Sequence, residues 1–154
     1  MATTRRLIHF SNNREPKEGD KIIYIGGSWD LMHNGHIERL KRAKEMGDFV
    51  YAGVWSDEIV SYYKGNNFPL MSLHERVLMV LSCKYVDDVV IGAPYEITKD
   101  FLKSLNIHKV ANCVQTNMEV QEDKNDIDPY RIPKEMGIYE EFDTELKLSV
   151  DEIA

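Results

Sequence analysis

The chain has 154 residues, of which 43% are hydrophobic and 29% are charged, a composition typical of one globular domain. Its two cysteines are too few for a disulfide scaffold, which indicates a reducing, cytoplasmic compartment. No run of 18 apolar residues is present, and the first 20 residues lack the apolar stretch of a secretory signal. The sequence therefore predicts no membrane span and no secretory leader.

The net charge of −7 is distributed unevenly along the chain. Residues 1–118 contain 15 basic and 14 acidic side chains, whereas residues 119–154 contain 4 basic and 12 acidic ones. An acidic last quarter argues against a nucleic-acid partner and against a basic helix that adsorbs to membranes. We expect a solvated acidic face there.

The predicted elements alternate between strand and helix. Residues 1–19 are polar and predict an irregular N-terminal arm, with one domain over residues 20–154. Strands are predicted at Ile22–Ile25, Phe49–Val54, Val86–Ile91, Lys109–Cys113 and Ile138–Phe142. Helices are predicted from about His33 to Met46, at Leu73–Cys83 and at Thr98–Leu105, and a loop at Glu119–Pro133. The alternation predicts an α/β fold with a doubly wound parallel sheet.

In such sheets ligands bind beyond the carboxyl ends of the strands. The strand predictions place four segments there: Gly26–Asp30, Trp55–Asp57, Gly92–Tyr95 and Asn112–Thr116. The first of these continues into the most informative stretch of the chain, GGSWDLMHNGH at Gly26–His36. Its glycines allow close approach of a ligand to the backbone, and a helix N-terminus favours anions. Together they predict a phosphate site.

Three interpretations compete for His33 and His36, which spacing places on one face of a helix. A zinc site would need a third ligand, and none stands at metal spacing. A structural capping role is typical of a lone histidine rather than of a pair that flanks Gly35. Phosphate chemistry is favoured, although both the dinucleotide-binding G-x-G-x-x-G and the Walker lysine motif are absent.

The same residues carry a resemblance to a known family. His33–His36 reads HNGH and resembles the H-x-G-H motif of the nucleotidyltransferase superfamily, and Gly27–Leu31 resembles the G-x-F-D-L of cytidylyltransferases. The segments Tyr62–Gly65, Pro69–Arg76 and Cys83–Tyr95 resemble further family motifs. From Gly19 to Ile153 the chain is similar to the second domain of the ethanolamine-phosphate cytidylyltransferases. The resemblance implies a Rossmann-like sheet of the nucleotidyltransferase type.

It also implies a reaction between CTP and phosphoethanolamine that yields CDP-ethanolamine and pyrophosphate. Carried over by motif, the catalytic residues are His33, His36 and Lys64. The nucleotide-binding residues are Gly27, Ser28, Trp29, Gly35, Arg76, Asn112 and Ser149. Mg²⁺ is expected to arrive with CTP, bound through its phosphates, with no protein side chain as a metal ligand.

Acceptor binding is assigned to Asp30, Tyr95 and Tyr130. A carboxylate at Asp30 suits the ethanolamine ammonium, with helix capping as the alternative, and tyrosine faces can bind a cation, with core packing as the alternative. For Lys64 the alternative is a solvated surface lysine. Arg76 is expected to reach phosphate or to brace the lysine loop, and an ion pair with Glu75 or Asp57 is the competing interpretation.

Two segments depart from the family pattern. Asp143 stands where relatives have the arginine of R-T-E-G-I-S-T-S, and only Ser149 keeps a hydroxyl of the final pair. Asn112-Cys113 replaces His-Gly, although an asparagine can still donate to and accept from a cytosine.

Two classes of function follow. One is an active cytidylyltransferase, which uses phosphoethanolamine or, alternatively, phosphocholine or glycerol phosphate. The other is a catalytically silent nucleotide-binding half of a two-domain enzyme. A homodimer, or pairing with a tandem domain, is expected from the resemblance.

Overall fold

A computed structural model describes residues 15–113 and 128–143. Five strands are present there: β1 Ile22–Gly27, β2 Phe49–Trp55, β3 Asp88–Ala93, β4 Lys109–Cys113 and β5 Tyr139–Phe142. Five helices accompany them: α1 Asn34–Glu45, α2 Asp57–Lys64, α3 Leu73–Leu81, α4 Lys99–Ser104 and α5 Arg131–Met136. All strand pairs are parallel and the order is β3-β2-β1-β4-β5. The predicted α/β fold with a doubly wound parallel sheet is confirmed.

The alternating side chains of the strands divide the core into two layers. Ile23 and Ile25 face one layer, with Leu40 of α1 and Val77 of α3. The opposite layer contains Ile22 and Tyr24 of β1 with Phe101 and Leu102 of α4. Because both faces of the central strands are covered, their sequences are continuous apolar runs rather than alternating ones.

The strand order places a topological switch point beside β1. The chain runs outward from β1 to β2 and β3, and then returns to place β4 on the other side of β1. Sheets of this topology bind ligands beyond the carboxyl ends of the strands at such a point, which are here β1 and β4. The turn Ser28–His33 leads out of β1 at this edge, so the fold brings the segment singled out in the sequence to the position where such sheets bind ligands.

Several predicted boundaries are wrong. The glycine pair Gly26-Gly27 does not stop β1 but continues it, paired with Gly53 and Val54 of β2. The predicted loop at Glu119–Pro133 is wrong at its end, where α5 begins at Arg131, and its residues 119–127 lie outside the described residues.

Close packing requires a glycine at position 53 of β2, because a Cβ there would lie 2.0 Å from the Tyr24 hydroxyl.

Helix α2 was not predicted, although its first residues carry a start signal. The Ser56 hydroxyl accepts from the Ile59 N–H at 3.3 Å, and Asp57 and Glu58 follow in the first turn. With eight residues and Val60 as its buried side chain, the helix has too short an apolar face to show periodicity.

Candidate active site

The histidine pair begins α1. His33 is the N-cap: its Nδ1 accepts from the Gly35 N–H at 3.0 Å, while its own N–H donates to Nδ1 of His36 at 3.2 Å. The ring centroids are 4.1 Å apart. Because both Nδ1 atoms accept hydrogen bonds, a neutral ring carries its proton on Nε2. Neither Nε2–H has an acceptor in the described part of the chain, so both can donate to a ligand at the helix N-terminus.

The electrostatic surroundings keep both rings neutral. Burial, together with the neighbouring His33, Arg39 and Lys64, lowers the pKa of His36 to about 3. The pKa of His33 is also lowered, by burial and by the charge of Arg39. At neutral pH the pair therefore acts as hydrogen-bond donors rather than as cations.

Lys64, the last residue of α2, supplies the positive charge. Its Nζ donates to the Ser28 hydroxyl at 2.8 Å. Burial and the charge of Arg39 lower the pKa of the ammonium, while Asp30 opposes that shift. The structure therefore brings Lys64, Ser28 and the histidine pair together, as the sequence analysis expects. Ser28 is itself buried and serves here as the anchor of the lysine.

Arg76 requires a correction. Its guanidinium is fully buried and donates to the Ser28 carbonyl at 2.7 Å, to the Met71 carbonyl at 3.1 Å and to Asp57 at 2.5 Å. A side chain that is enclosed and bound to three protein groups has no surface for a nucleotide. The predicted contact between Arg76 and phosphate is wrong. In the structure Arg76 forms the ion pair with Asp57 and braces the backbone at Ser28 and Met71.

Trp29 also requires a correction. Its indole is 2% exposed, donates from Nε1 to the Gly53 carbonyl at 2.8 Å, and packs against the His36 ring with centroids 5.6 Å apart. The indole therefore packs against the His36 ring inside the protein and is not exposed to a nucleotide. A left-handed backbone at Trp29, with φ of 55°, turns the indole inward.

Asp30 ties the β1 turn to the chain that precedes α3. Its two carboxylate oxygens accept from the Leu70 and Met71 N–H groups at 2.7 and 2.9 Å. Helix capping by Asp30 is wrong, because His33 occupies the N-cap. A contact with an ammonium group of the acceptor stays a prediction, and Asp30 lies close enough to Lys64 for its charge to oppose the lowering of the Lys64 pKa by burial.

The tyrosines assigned to the acceptor lie near the same edge. Tyr95 stacks on Tyr63 with centroids 3.8 Å apart and 11° between the rings, and it leans on Trp55 at 5.2 Å. One face of Tyr95 is therefore covered by protein, which leaves at most the other face for a cation. Burial raises the pKa of Tyr130, with further contributions from Tyr139 and Tyr95, so its phenol stays protonated.

A chain of hydrogen bonds links β4 and β5. The Tyr130 hydroxyl donates to Oδ1 of Asn112 at 3.1 Å, and Nδ2 of Asn112 donates to the Tyr139 hydroxyl at 3.1 Å. That hydroxyl donates in turn to Glu141 at 2.7 Å. The amide of Asn112 is thus held in one orientation at the carboxyl end of β4. Each of its two polar atoms already bonds to a tyrosine hydroxyl, and a contact between Asn112 and a nucleotide base stays a prediction.

The two glycines predicted to bind the nucleotide both lie in the segment Gly26–His36. Gly27 is at the end of β1, and Gly35 is in the first turn of α1. Ser149 lies outside the described residues, as does the Val114–Thr116 part of the fourth ligand segment. The sequence analysis did not single out Arg39, whose charge lowers the pKa values of His33, His36 and Lys64. The available signal was an arginine about one turn after the second histidine of the motif.

Within residues 15–113 and 128–143, no three His, Cys, Asp or Glu side chains come together as a metal site. In the same ranges no helix is both long and apolar enough to cross a membrane.

Comparison with known proteins adds the family. The model of the cytidylyltransferase-like family matches residues 24–130. The chain is 50% identical over 141 residues to an ethanolamine-phosphate cytidylyltransferase of Dictyostelium discoideum, covering 92% of this chain and 39% of the relative. It is 40% identical over 153 residues to that of Arabidopsis thaliana, covering 99% of this chain and 36% of the relative. The chain therefore spans under two-fifths of the length of either relative.

A solved structure supports the fold. The lipopolysaccharide core biosynthesis protein of Thermoplasma volcanium superposes with a TM-score of 0.57 at 19% identity, over 81% of this chain and 95% of that one. The resemblance to cytidylyltransferases is confirmed, whereas the assignment to a second domain stays a prediction. From the matched residues and from the geometry of the histidine pair, the chain belongs to the cytidylyltransferase-like family.

Proposed function

We propose that this site transfers a cytidylyl group from CTP to phosphoethanolamine, giving CDP-ethanolamine and pyrophosphate. The observation that carries the proposal is the neutral histidine pair at the start of α1, with Lys64 held beside it by Ser28. The choice of CTP and phosphoethanolamine rests on the relatives named above, which have 50% and 40% identity.

The chemistry demands charge stabilisation more than proton transfer. A phosphate oxygen of phosphoethanolamine, already ionised at neutral pH, attacks the α-phosphorus of CTP. The bond between that phosphorus and the bridging oxygen breaks, and pyrophosphate leaves with the electron pair. No general base is required, so the protein contributes positioning and stabilisation of negative charge.

The described residues suit these two tasks. The Nε2–H groups of His33 and His36 would donate to oxygens of the α-phosphate and of the departing pyrophosphate. Lys64 would act as a point charge on the same oxygens. Because the histidines are neutral, they add hydrogen bonds without the repulsion that two further cations would bring to Lys64.

Mg²⁺ is proposed as the cofactor, carried by CTP. The site offers nitrogen donors and cations, and the Asp30 oxygens already accept two backbone N–H groups. This donor set fits a metal held by phosphate oxygens rather than by the protein. When bound, Mg²⁺ supplies neutralisation of the triphosphate charge.

Two further expectations belong to this proposal. A cytoplasmic location is proposed from the low cysteine content. Pairing with a second cytidylyltransferase domain, in tandem or as a homodimer, stays a prediction, and analytical ultracentrifugation of the full protein would test it.

The test is pyrophosphate release from CTP and Mg²⁺ with phosphoethanolamine, phosphocholine, glycerol phosphate or no acceptor. His36→Ala removes one donor, and His74→Ala removes an exposed histidine on α3 as the matched control. We expect release with phosphoethanolamine, reduced about 10²- to 10³-fold by the first variant alone. Preference for another acceptor would replace phosphoethanolamine in the proposal. Binding of CTP without release by any acceptor would support the silent nucleotide-binding half instead.

A further inference from the structure

Arg39 lies next to the histidine pair on α1, and its side chain has no hydrogen-bond or ion-pair partner in residues 15–113 and 128–143. It follows His36 by three residues on α1, so the two side chains share a helix face. Its Nε atom is buried and makes no hydrogen bond. None of the ion pairs among the described residues includes it. A buried guanidinium N–H without an acceptor is costly and rare in native proteins, and it calls for an explanation.

No acidic residue stands one turn before or one turn after Arg39 on α1. At the positions three and four residues away on α1 stand Gly35, His36, Arg42 and Ala43, none of them acidic. The carboxylate of Asp30, which reaches Lys64 electrostatically, is occupied by two backbone N–H groups. A concentration of donors without acceptors indicates that an anion completes the group.

The charge of Arg39 acts on two groups of residues at this edge of the sheet. Its charge acts on His33, His36 and Lys64 on one side and on Tyr130 on the other. Tyr130 donates to Asn112 at the end of β4. The side chain therefore lies within electrostatic reach both of the histidine pair and of the carboxyl end of β4, where sheets of this topology bind ligands.

We propose that Arg39 is a phosphate-binding residue of this site, its buried Nε–H and its guanidinium fork donating to an anionic phosphate oxygen held between the histidine pair and Tyr130. The inference rests on the proposed function for the presence of a phosphate ligand. The oxygen can belong to the triphosphate of CTP or to the phosphate of phosphoethanolamine, which share the same chemistry. An arginine suits the position because its planar fork can make two parallel bonds to phosphate.

The experiment is calorimetric titration of the full protein with CTP and Mg²⁺, with phosphoethanolamine, and with inorganic tripolyphosphate. Arg39→Gln removes the charge and the fork. Lys41→Gln, an exposed cation two residues further along α1, makes the same change in net charge. We expect Arg39→Gln to weaken a phosphate ligand by at least about tenfold, and Lys41→Gln by less than about twofold. Loss confined to CTP and tripolyphosphate assigns the triphosphate, and loss confined to phosphoethanolamine assigns the acceptor.

Equal binding of all three ligands by wild type and Arg39→Gln would overturn the inference. If Arg39→Gln melts well below wild type, Arg39→Lys carries the test: it keeps the charge without the fork, and we expect at least about threefold weaker binding. Wild-type affinity in a stable Arg39→Lys would then overturn the inference. Tripolyphosphate distinguishes failure of the Arg39 inference from failure of the proposed function. If wild type binds tripolyphosphate as well as CTP, the cytidylyl assignment is contradicted. Weaker tripolyphosphate binding by Arg39→Gln would still support the role of Arg39.

Discussion

Two groups of polar side chains, one beyond β1 and one on β4 and β5, differ in the chemistry that they present. The phosphate side, formed by Ser28, His33, His36 and Lys64, presents a charge and N–H donors beside a helix N-terminus. The amide side, formed by Asn112, Tyr130, Tyr139 and Glu141, presents one oriented amide in a chain of hydrogen bonds. Positive charge attracts phosphates of any nucleotide, whereas an oriented amide can distinguish one base from another.

The two sides are also held in place differently. The phosphate side depends on contacts between residues far apart in sequence, such as Arg76 with the Ser28 carbonyl and Asp30 with the Leu70 N–H. The amide side is organised by neighbouring strands, since Asn112 pairs in register with Glu141. We therefore expect changes on the phosphate side to affect rate and stability strongly, and changes on the amide side to affect selectivity.

The largest effect is expected at Lys64. Lys64→Met removes the charge opposite the reacting phosphates, so kcat/KM for CTP should fall by about 10²-fold or more. Lys41→Met, at an exposed site, should change it by less than about twofold. Steady-state kinetics with phosphoethanolamine at saturation provides the measurement. Similar losses in both variants would show that net charge, rather than the placement of Lys64, matters.

Arg76 tests whether the phosphate side needs its brace. Arg76→Met removes the donors to Ser28, Met71 and Asp57 and should lower the free energy of unfolding by about 3 kcal/mol, because the guanidinium is fully buried. Arg131→Met breaks an exposed pair with Glu135 and should cost less than about 0.5 kcal/mol. Urea denaturation compares the two, and equal costs would contradict the bracing role.

The neutral state of His36 predicts a dependence of stability on pH. The folded pKa of about 3 lies below the unfolded value of 6.5, so the unfolded chain binds more protons between these values. The contribution is present above pH 6.5 and is lost as pH falls towards 3. Between pH 7 and pH 5 wild type should lose about 2 kcal/mol more than His36→Gln. Parallel losses in urea titrations at the two pH values would contradict a neutral buried ring.

The smallest effect is expected on the amide side. Tyr139→Phe removes the hydroxyl that accepts from Asn112 and donates to Glu141. The ratio of kcat/KM for CTP over UTP should fall by about three- to tenfold, with kcat for CTP nearly unchanged. Tyr62→Phe, on the exposed part of α2, serves as the control. An unchanged ratio would show that the amide side does not read the base.

The parts of the fold that could be predicted are those encoded locally. Continuous apolar runs identified β1 and β2, because buried parallel strands need apolar side chains on both faces. Helix α2 escaped because a helix of eight residues with Val60 as its buried side chain shows no period. Its capping residue Ser56 carried the information that periodicity lacked.

The candidate site also contains residues that the sequence could predict and residues that it could not. The resemblance to family motifs predicted His33, His36 and Lys64 as one group, and the structure places them together, while their catalytic roles stay a prediction. The burial of Trp29 and Arg76 could not be predicted, since the first depends on a left-handed turn and the second on three distant partners. Arg39 was missed because a charged residue on a helix is usually solvated, and only its orphaned Nε distinguishes it.

The central claim is that two neutral imidazoles with protons on Nε2 meet the phosphates. Long-range ¹H–¹⁵N spectra of the histidines at pH 7, assigned with His33→Gln and His36→Gln, test it directly. We predict Nε2–H tautomers at both positions, with Nε2 resonances that shift when CTP and Mg²⁺ are added. An imidazolium or an Nδ1–H tautomer at either position, or spectra that CTP leaves unchanged, would contradict the account.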